Sequence, residues 1–134
     1  MSYNLSSGAC FSLQMHLVLV TKYRRKVITT EVLERLKEIF NSTCLKWESR
    51  VVEFNGEADH VHLLIEYNPK VQISKFVNNL KTVSSRLIRK EFGQHLELTY
   101  SKPVFWSGAY FVSSCGGFTV EHLKKYVQQQ HAPE

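Results

Sequence analysis

Three cysteines in 134 residues, Cys10, Cys44 and Cys115, are odd in number and far apart, and none sits in a Cys-x-x-Cys pair. That excludes a disulfide framework and a zinc ribbon, and leaves core or loop thiols. Long apolar runs are also missing: no stretch approaches the roughly 20 residues that a membrane-spanning helix needs. The opening residues, MSYNLSSGACFSLQ, lack the charged-then-apolar pattern of a secretory leader, so the expected compartment is the cytoplasm, with no membrane partner. Internal repeats and low-complexity segments are absent too. What remains is one domain over residues 1–134, with 43% hydrophobic residues, enough to close a single core around a single site.

Acid is missing where base is plentiful. From Tyr67 through Lys90 there are six basic residues, Lys70, Lys75, Lys81, Arg86, Arg89 and Lys90, and no carboxylate. A second cluster, Lys22, Arg24, Arg25 and Lys26, lies earlier. With a net charge of +5 and a pI near 9.2, the chain favours an anionic partner. Each patch taken singly also fits a solvated helix face or a basic turn.

The periodicities give an order of elements. Phe11 to Val20 alternates apolar residues with Ser12, Gln14 and His16 and then turns wholly apolar, as a strand near the middle of a sheet does. Thr29 or Thr30 caps a helix in which Val32, Leu33, Leu36, Ile39, Phe40, Cys44 and Trp47 recur at three-to-four spacing. Arg50–Asn55 and Val61–Tyr67 read as a hairpin joined through Gly56-Glu57-Ala58-Asp59. From Gln72 to Phe92, Ile73, Phe76, Val77, Leu80, Leu87 and Ile88 line one helical face, opposite Lys75, Thr82, Arg86 and Arg89. Residues 93–103 read as a connecting loop, Tyr110–Ser114 as a fourth strand, and Gly116-Gly117 as a break before a last helix capped by Thr119. This predicts an α+β, ferredoxin-like (RRM-like) βαββαβ antiparallel sheet, with two helices on one face and an added C-terminal helix.

Chemistry belongs on the face those helices leave open. In Asp59-His60-Val61-His62-Leu63-Leu64-Ile65 the two-residue strand period sends His60 and His62 to one side and Val61, Leu63 and Ile65 to the other. Two neighbouring imidazoles suit a divalent metal, and Glu57 and Asp59 are close enough in sequence to contribute or to orient a ligand. The bland alternative is a pair of histidines exposed on a strand. On the last helix Tyr126 and Gln130 stand four apart and share a face, with His122 one turn earlier. A phenol, with its ordinary pKa near 10, becomes a competent nucleophile when a nearby cation stabilises the phenolate. The chain has six tyrosines, most of which any fold uses for packing.

Together these segments resemble the HUH single-tyrosine transposases of the insertion-sequence 200/605 type, named for two histidines flanking a hydrophobic residue. The likeness spans nearly the whole chain. It rests on His16-Leu17-Val18-Leu19-Val20-Thr21-Lys22-Tyr23-Arg24, Asp59-His60-Val61-His62-Leu63-Leu64, Trp106 followed by Tyr110-Phe111-Val112-Ser113-Ser114, and Tyr126-Val127-Gln128-Gln129-Gln130. The sequence departs from the family at Ala58, where proline is usual, and at Ser107-Gly108-Ala109 before Tyr110.

The resemblance implies that His60, His62 and Gln130 ligate magnesium or manganese and that Tyr126, on the C-terminal helix, is the nucleophile. It implies cleavage and rejoining of single-stranded DNA with hairpin ends through a 5′-phosphotyrosine. It also implies a homodimer with active sites shared between chains, for which Gly116-Gly117 provides the reach. Lys22, Arg24, Arg25, Lys75, Arg86 and Arg89 are the expected phosphate contacts. Competing readings are an RRM-like RNA-binding module without catalysis, a metal-dependent nuclease that uses water, and a domesticated relative processing genomic repeats. The RRM reading requires stacking aromatics on the first and third strands, and the third strand here offers imidazoles instead.

Overall fold

The computed structural model describes residues 4–6, 9–11, 13–114 and 127–128, with side chains from Leu13 onward. The chain opens with a short antiparallel ribbon of β1 (Asn4–Ser6) and β2 (Ala9–Phe11). The main sheet follows, built from β3 (Gln14–Thr21), β4 (Arg50–Gly56), β5 (His60–Glu66) and β6 (Trp106–Ser114). Its spatial order is β4-β5-β3-β6, and every neighbouring pair is antiparallel. Helix α1 (Thr30–Lys46) joins β3 to β4, and α2 (Ile73–Glu91) with the short α3 (Gly93–Glu97) joins β5 to β6. This is the expected ferredoxin-like α+β arrangement.

Alternation along the central strand assigns its two faces. Met15, Leu17 and Leu19 of β3 and Val61, Leu63 and Ile65 of β5 are buried in one cluster with Val32, Leu36, Ile39 and Phe40 of α1 and Phe76, Val77, Leu80 and Ile88 of α2. Truncating one of the leucine, isoleucine, methionine or phenylalanine side chains among these to alanine would cost roughly 2–5 kcal/mol. On the other face Val18 and Val20 form a smaller cluster with Val127, against which Phe111 packs. Thr29 caps α1 as its sequence predicts, its hydroxyl accepting the Val32 N–H at 3.2 Å. Gly56, at the end of β4, lies against α1: a Cβ there would meet Leu33 Cδ1 at 2.5 Å and Val61 Cγ1 at 3.0 Å.

Several boundaries differ from the sequence expectation. Phe11 belongs to the N-terminal ribbon, so the central strand starts at Gln14. Residues 93–103 are not all loop: Gly93–Glu97 form a helical turn anchored by buried Leu96. β6 begins at Trp106 instead of near Tyr110, because Trp106 pairs with Thr21 beyond an irregularity between Leu19 and Thr21. The Trp106 indole N–H donates to Ser84 Oγ at 2.9 Å, and Ser84 in turn donates to Leu80 O at 2.6 Å. A polar pair thus sits within a helix face that reads as apolar. Cys44 is a core thiol, pushed up to about 12 by burial and inert at neutral pH. No helix among the described residues is long and apolar enough to cross a membrane.

Candidate active site

The antiparallel register of β5 against β3 pairs His62 with Val18 and His60 with Val20, on the face turned away from α1 and α2. A cleft of about 410 Å³ opens there. It is walled by His16, Glu53, Asn55, Glu57, His60 and His62, with Val18 on its floor and Val127 and Gln128 beside it. The His60 and His62 rings are nearly parallel, at 20°, with centroids 6.3 Å apart. Two imidazoles held by one ion at about 2.1 Å per nitrogen cannot have centroids more than about 6.5 Å apart. At 6.3 Å the pair reaches that limit only in a nearly linear arrangement, so sharing one ion at an ordinary bent angle would require the rings to turn about 1 Å or more toward each other. Burial holds His62 below the usual imidazole pKa, helped by the neighbouring His60 and His16 and opposed by Glu53 and Glu57. The neutral form is favoured, which is the form that ligates a metal.

Asp59 stands behind His60. Its Oδ1 lies 2.8 Å from His60 Nδ1, and its Oδ2 accepts the Arg24 Nε–H at 2.8 Å. Burial pushes the Asp59 carboxyl upward, but hydrogen bonds from His60 and Arg24 outweigh it and hold the group below the usual carboxylate range. Arg24 reaches this position from a tight turn in which Tyr23 and Arg24 both have left-handed backbone, with φ of 57° and 54°. For non-glycine residues such angles cost on the order of 1–3 kcal/mol each, so the surrounding contacts must impose them.

The expected phosphate contacts divide between the two sides of the molecule. Arg24 faces the histidine cleft, whereas Arg25 borders a hollow of about 260 Å³ with Tyr23, Tyr100 and Lys102. That hollow shares Tyr100, Ser101, Lys102 and Val104 with a groove of about 420 Å³ along α2, lined also by Arg86, Arg89 and Lys90. Lys75 is exposed near the start of α2 and borders neither hollow, and Lys22 sits with its ammonium 5.2 Å from the Tyr23 ring centroid. Tyr126 and Gln130, the expected nucleophile and third ligand, lie outside the described residues. Among the described residues no group of three or more His, Cys, Asp or Glu side chains is arranged to hold a metal, so any ligand set here combines the His pair with other donors.

Sequence reasoning gave no site role to His16, Glu53 or Asn55, all of which wall the cleft. The first has a signal in retrospect: it continues the alternation of Gln14 and His16 on the face that carries Val18. The outward face of β3 and β5 holds His16, His60 and His62 and no aromatic platform, which counts against the RNA-binding alternative.

Comparison with known proteins agrees with this geometry. Residues 9–130 match the family described as "Transposase IS200 like". The chain is 33% identical over 116 residues to the transposase of insertion sequence element IS200 from Salmonella typhimurium, covering 86% of this chain and 74% of that protein. It is 30% identical over 127 residues to the ISDra2 transposase TnpA of Deinococcus radiodurans, covering 95% and 90%. A crystal structure of a transposase candidate from Deinococcus radiodurans R1 superposes with a TM-score of 0.87 at 29% identity, over 96% of this chain and 98% of the other. A REP-associated tyrosine transposase bound to a REP hairpin shares the fold at a TM-score of 0.56 and 9% identity, over 92% of this chain and 68% of the other. With its cleft, its paired histidines and these relatives in agreement, the chain belongs to the IS200-like transposase family.

Proposed function

We propose that this transposase cleaves and rejoins single-stranded DNA at insertion-sequence ends by way of a 5′-phosphotyrosine on Tyr126. The observation that carries the reading is the register that turns His60 and His62 together into the cleft, with acid and amide oxygens around them. His60 and His62, with Gln130, are the residues that would hold a magnesium or manganese ion, which supplies polarisation of a phosphodiester oxygen and neutralises charge in the transition state. The Tyr126 oxygen attacks phosphorus, the bond to the 3′ oxygen breaks, and a free 3′-OH leaves. Since the phosphotyrosine bond preserves the free energy of the broken phosphodiester, a second 3′-OH can attack it, release the tyrosine and rejoin the strand without ATP. The cations of the α2 groove, with Arg25 of the 22–26 loop, are suited to hold phosphates and the duplex part of a DNA hairpin.

The working unit in this reading is a homodimer in which His60 and His62 of one chain serve Tyr126 of the other. Gly116-Gly117 ahead of the nucleophile supports that exchange. A specific observation favours the cis alternative: Val127, adjacent to the nucleophile, is buried against Val18 and Val20 of its own chain.

The central test is covalent capture. With a cognate hairpin oligonucleotide and magnesium or manganese, wild type is expected to form a protein-DNA adduct, and Tyr126→Phe to bind DNA but form none. Full adduct from Tyr126→Phe, or from wild type under strong chelation, would refute the mechanism. Cleavage without an adduct would point to a water nucleophile instead.

A further inference from the structure

We infer that Asp59 and Arg24 are positioning residues for the metal site, acting through His60 by fixing which of its ring nitrogens is bare; this rests on the proposed role of His60 as a ligand. The argument begins with hydrogen-bonding capacity. A carboxylate facing an arginine is ionised and can only accept hydrogen bonds, so the imidazole nitrogen 2.8 Å from Asp59 Oδ1, Nδ1, must carry the proton. The lone pair is then confined to Nε2. Without a fixed acceptor a neutral imidazole exchanges between tautomers, and a fraction of molecules would present N–H at the nitrogen meant for the ion.

Asp59 is itself held from the other side. Its Oδ2 takes the Arg24 Nε–H at 2.8 Å, and the pair is largely shielded, with side-chain exposures of 27% and 12%. The backbone around it is fastened as well: Thr21 N–H donates to Asp59 O at 3.0 Å, and Ile28 N–H to Ala58 O at 2.9 Å. The Thr21 hydroxyl donates to Arg25 O at 2.6 Å, and Tyr100 OH donates to Lys22 O at 2.8 Å. These ties bracket Tyr23 and Arg24, both of which hold left-handed backbone. The strain therefore has an identifiable product, an arginine aimed at the carboxylate behind a candidate ligand and away from open solvent. A surface cation that merely awaited DNA would need no such turn.

The test uses metal-free protein and Mn2+ alone. Long-range proton-nitrogen NMR should show His60 of wild type as a single tautomer with a protonated Nδ1. Asp59→Asn should mix the tautomers and weaken Mn2+ binding, measured by calorimetry, about 10–100-fold, the usual effect of losing an outer partner of a ligand. Asp59→Glu should restore part of both signals, and Arg24→Gln should give a smaller loss of the same kind. Thr21→Val loosens the turn that aims Arg24 without touching the carboxylate, and should weaken Mn2+ binding no more than Arg24→Gln does. If wild type binds Mn2+ and Asp59→Asn changes neither the tautomer nor the affinity, the positioning role is overturned while the metal reading stands. If Thr21→Val weakens binding as much as Asp59→Asn, turn packing accounts for the effect and the role of the carboxylate is overturned. If wild type shows no Mn2+ binding, the ligand assignment and this inference fall together.

Discussion

The histidine side and the helix side of the sheet carry hollows of nearly equal size, about 410 and 420 Å³, with different demands on the fold. On the histidine side the donors are few, and their use depends on strand register: a one-residue slip of β5 would turn His60 and His62 into the core and Val61 and Leu63 out. On the helix side Arg86, Arg89, Lys90 and Lys102 present charge from long, flexible side chains, and no single distance is decisive. In the proposed reading, ligand chemistry thus falls on a sheet face, where strand register enforces geometry, and phosphate attraction on a helix and the loop beside it, where charge alone suffices.

The sharpest way to break this division is to ask whether the histidine side is completed within one chain. Mixing inactive His60→Ala/His62→Ala protein with inactive Tyr126→Phe protein, after confirmed subunit exchange, should restore adduct formation if sites are shared, with one intact site per heterodimer. In a cis arrangement every site keeps a defect, and activity stays absent. The effect is all-or-none, and Val127 on its own sheet makes the negative outcome a concrete structural alternative.

A smaller, graded effect is expected on the helix side. Neutralising Arg86, Arg89 and Lys102 together should weaken DNA binding and flatten its salt dependence, by about 0.7–0.9 in log–log slope per lost phosphate contact. His60→Ala/His62→Ala should leave that slope unchanged. An unchanged slope in the cation variant would show that DNA lies elsewhere and would remove the contrast between the two sides.

The smallest effect concerns protons. His62 has its pKa lowered by burial and by its histidine neighbours, so protonation is disfavoured in the folded state relative to the unfolded chain. The stability of metal-free protein should therefore be complete above pH about 6.5, the ordinary imidazole value, and should decline as pH falls through the lower folded pKa. Melting temperatures between pH 7 and 5 should fall less for His62→Gln than for wild type. A parallel decline in both would place the pH sensitivity outside the cleft.

How much of this was legible beforehand follows from the range of each interaction. The order of the main elements, the cap at Thr29, the core faces of α1 and α2 and the outward turn of His60 and His62 all follow from local period, and all are found. Not legible were the β1–β2 ribbon, too short to carry a periodic signal, and α3, whose single turn depends on Leu96 finding the core. The Arg24–Asp59 contact spans 35 residues and needs left-handed backbone at two non-glycine positions. No local pattern announces that, and a run of basic residues at 22–26 conceals it. The same run splits in space, Arg24 to one side and Arg25 to the other, which composition cannot express.

Lys81 shows the same gap between written and available charge. Its ammonium donates to Ser107 O at 2.8 Å and Gly108 O at 3.0 Å, and lies 5.6 Å from the Tyr110 ring centroid. With three N–H groups in all, at most one remains for any other acceptor. One of the six cations between Tyr67 and Lys90 thus acts as a fastener between α2 and the entry to β6, a peg through the edge of the sheet. The electrostatic field that an approaching polyanion meets is correspondingly weaker and more one-sided than the formal charge of the segment suggests.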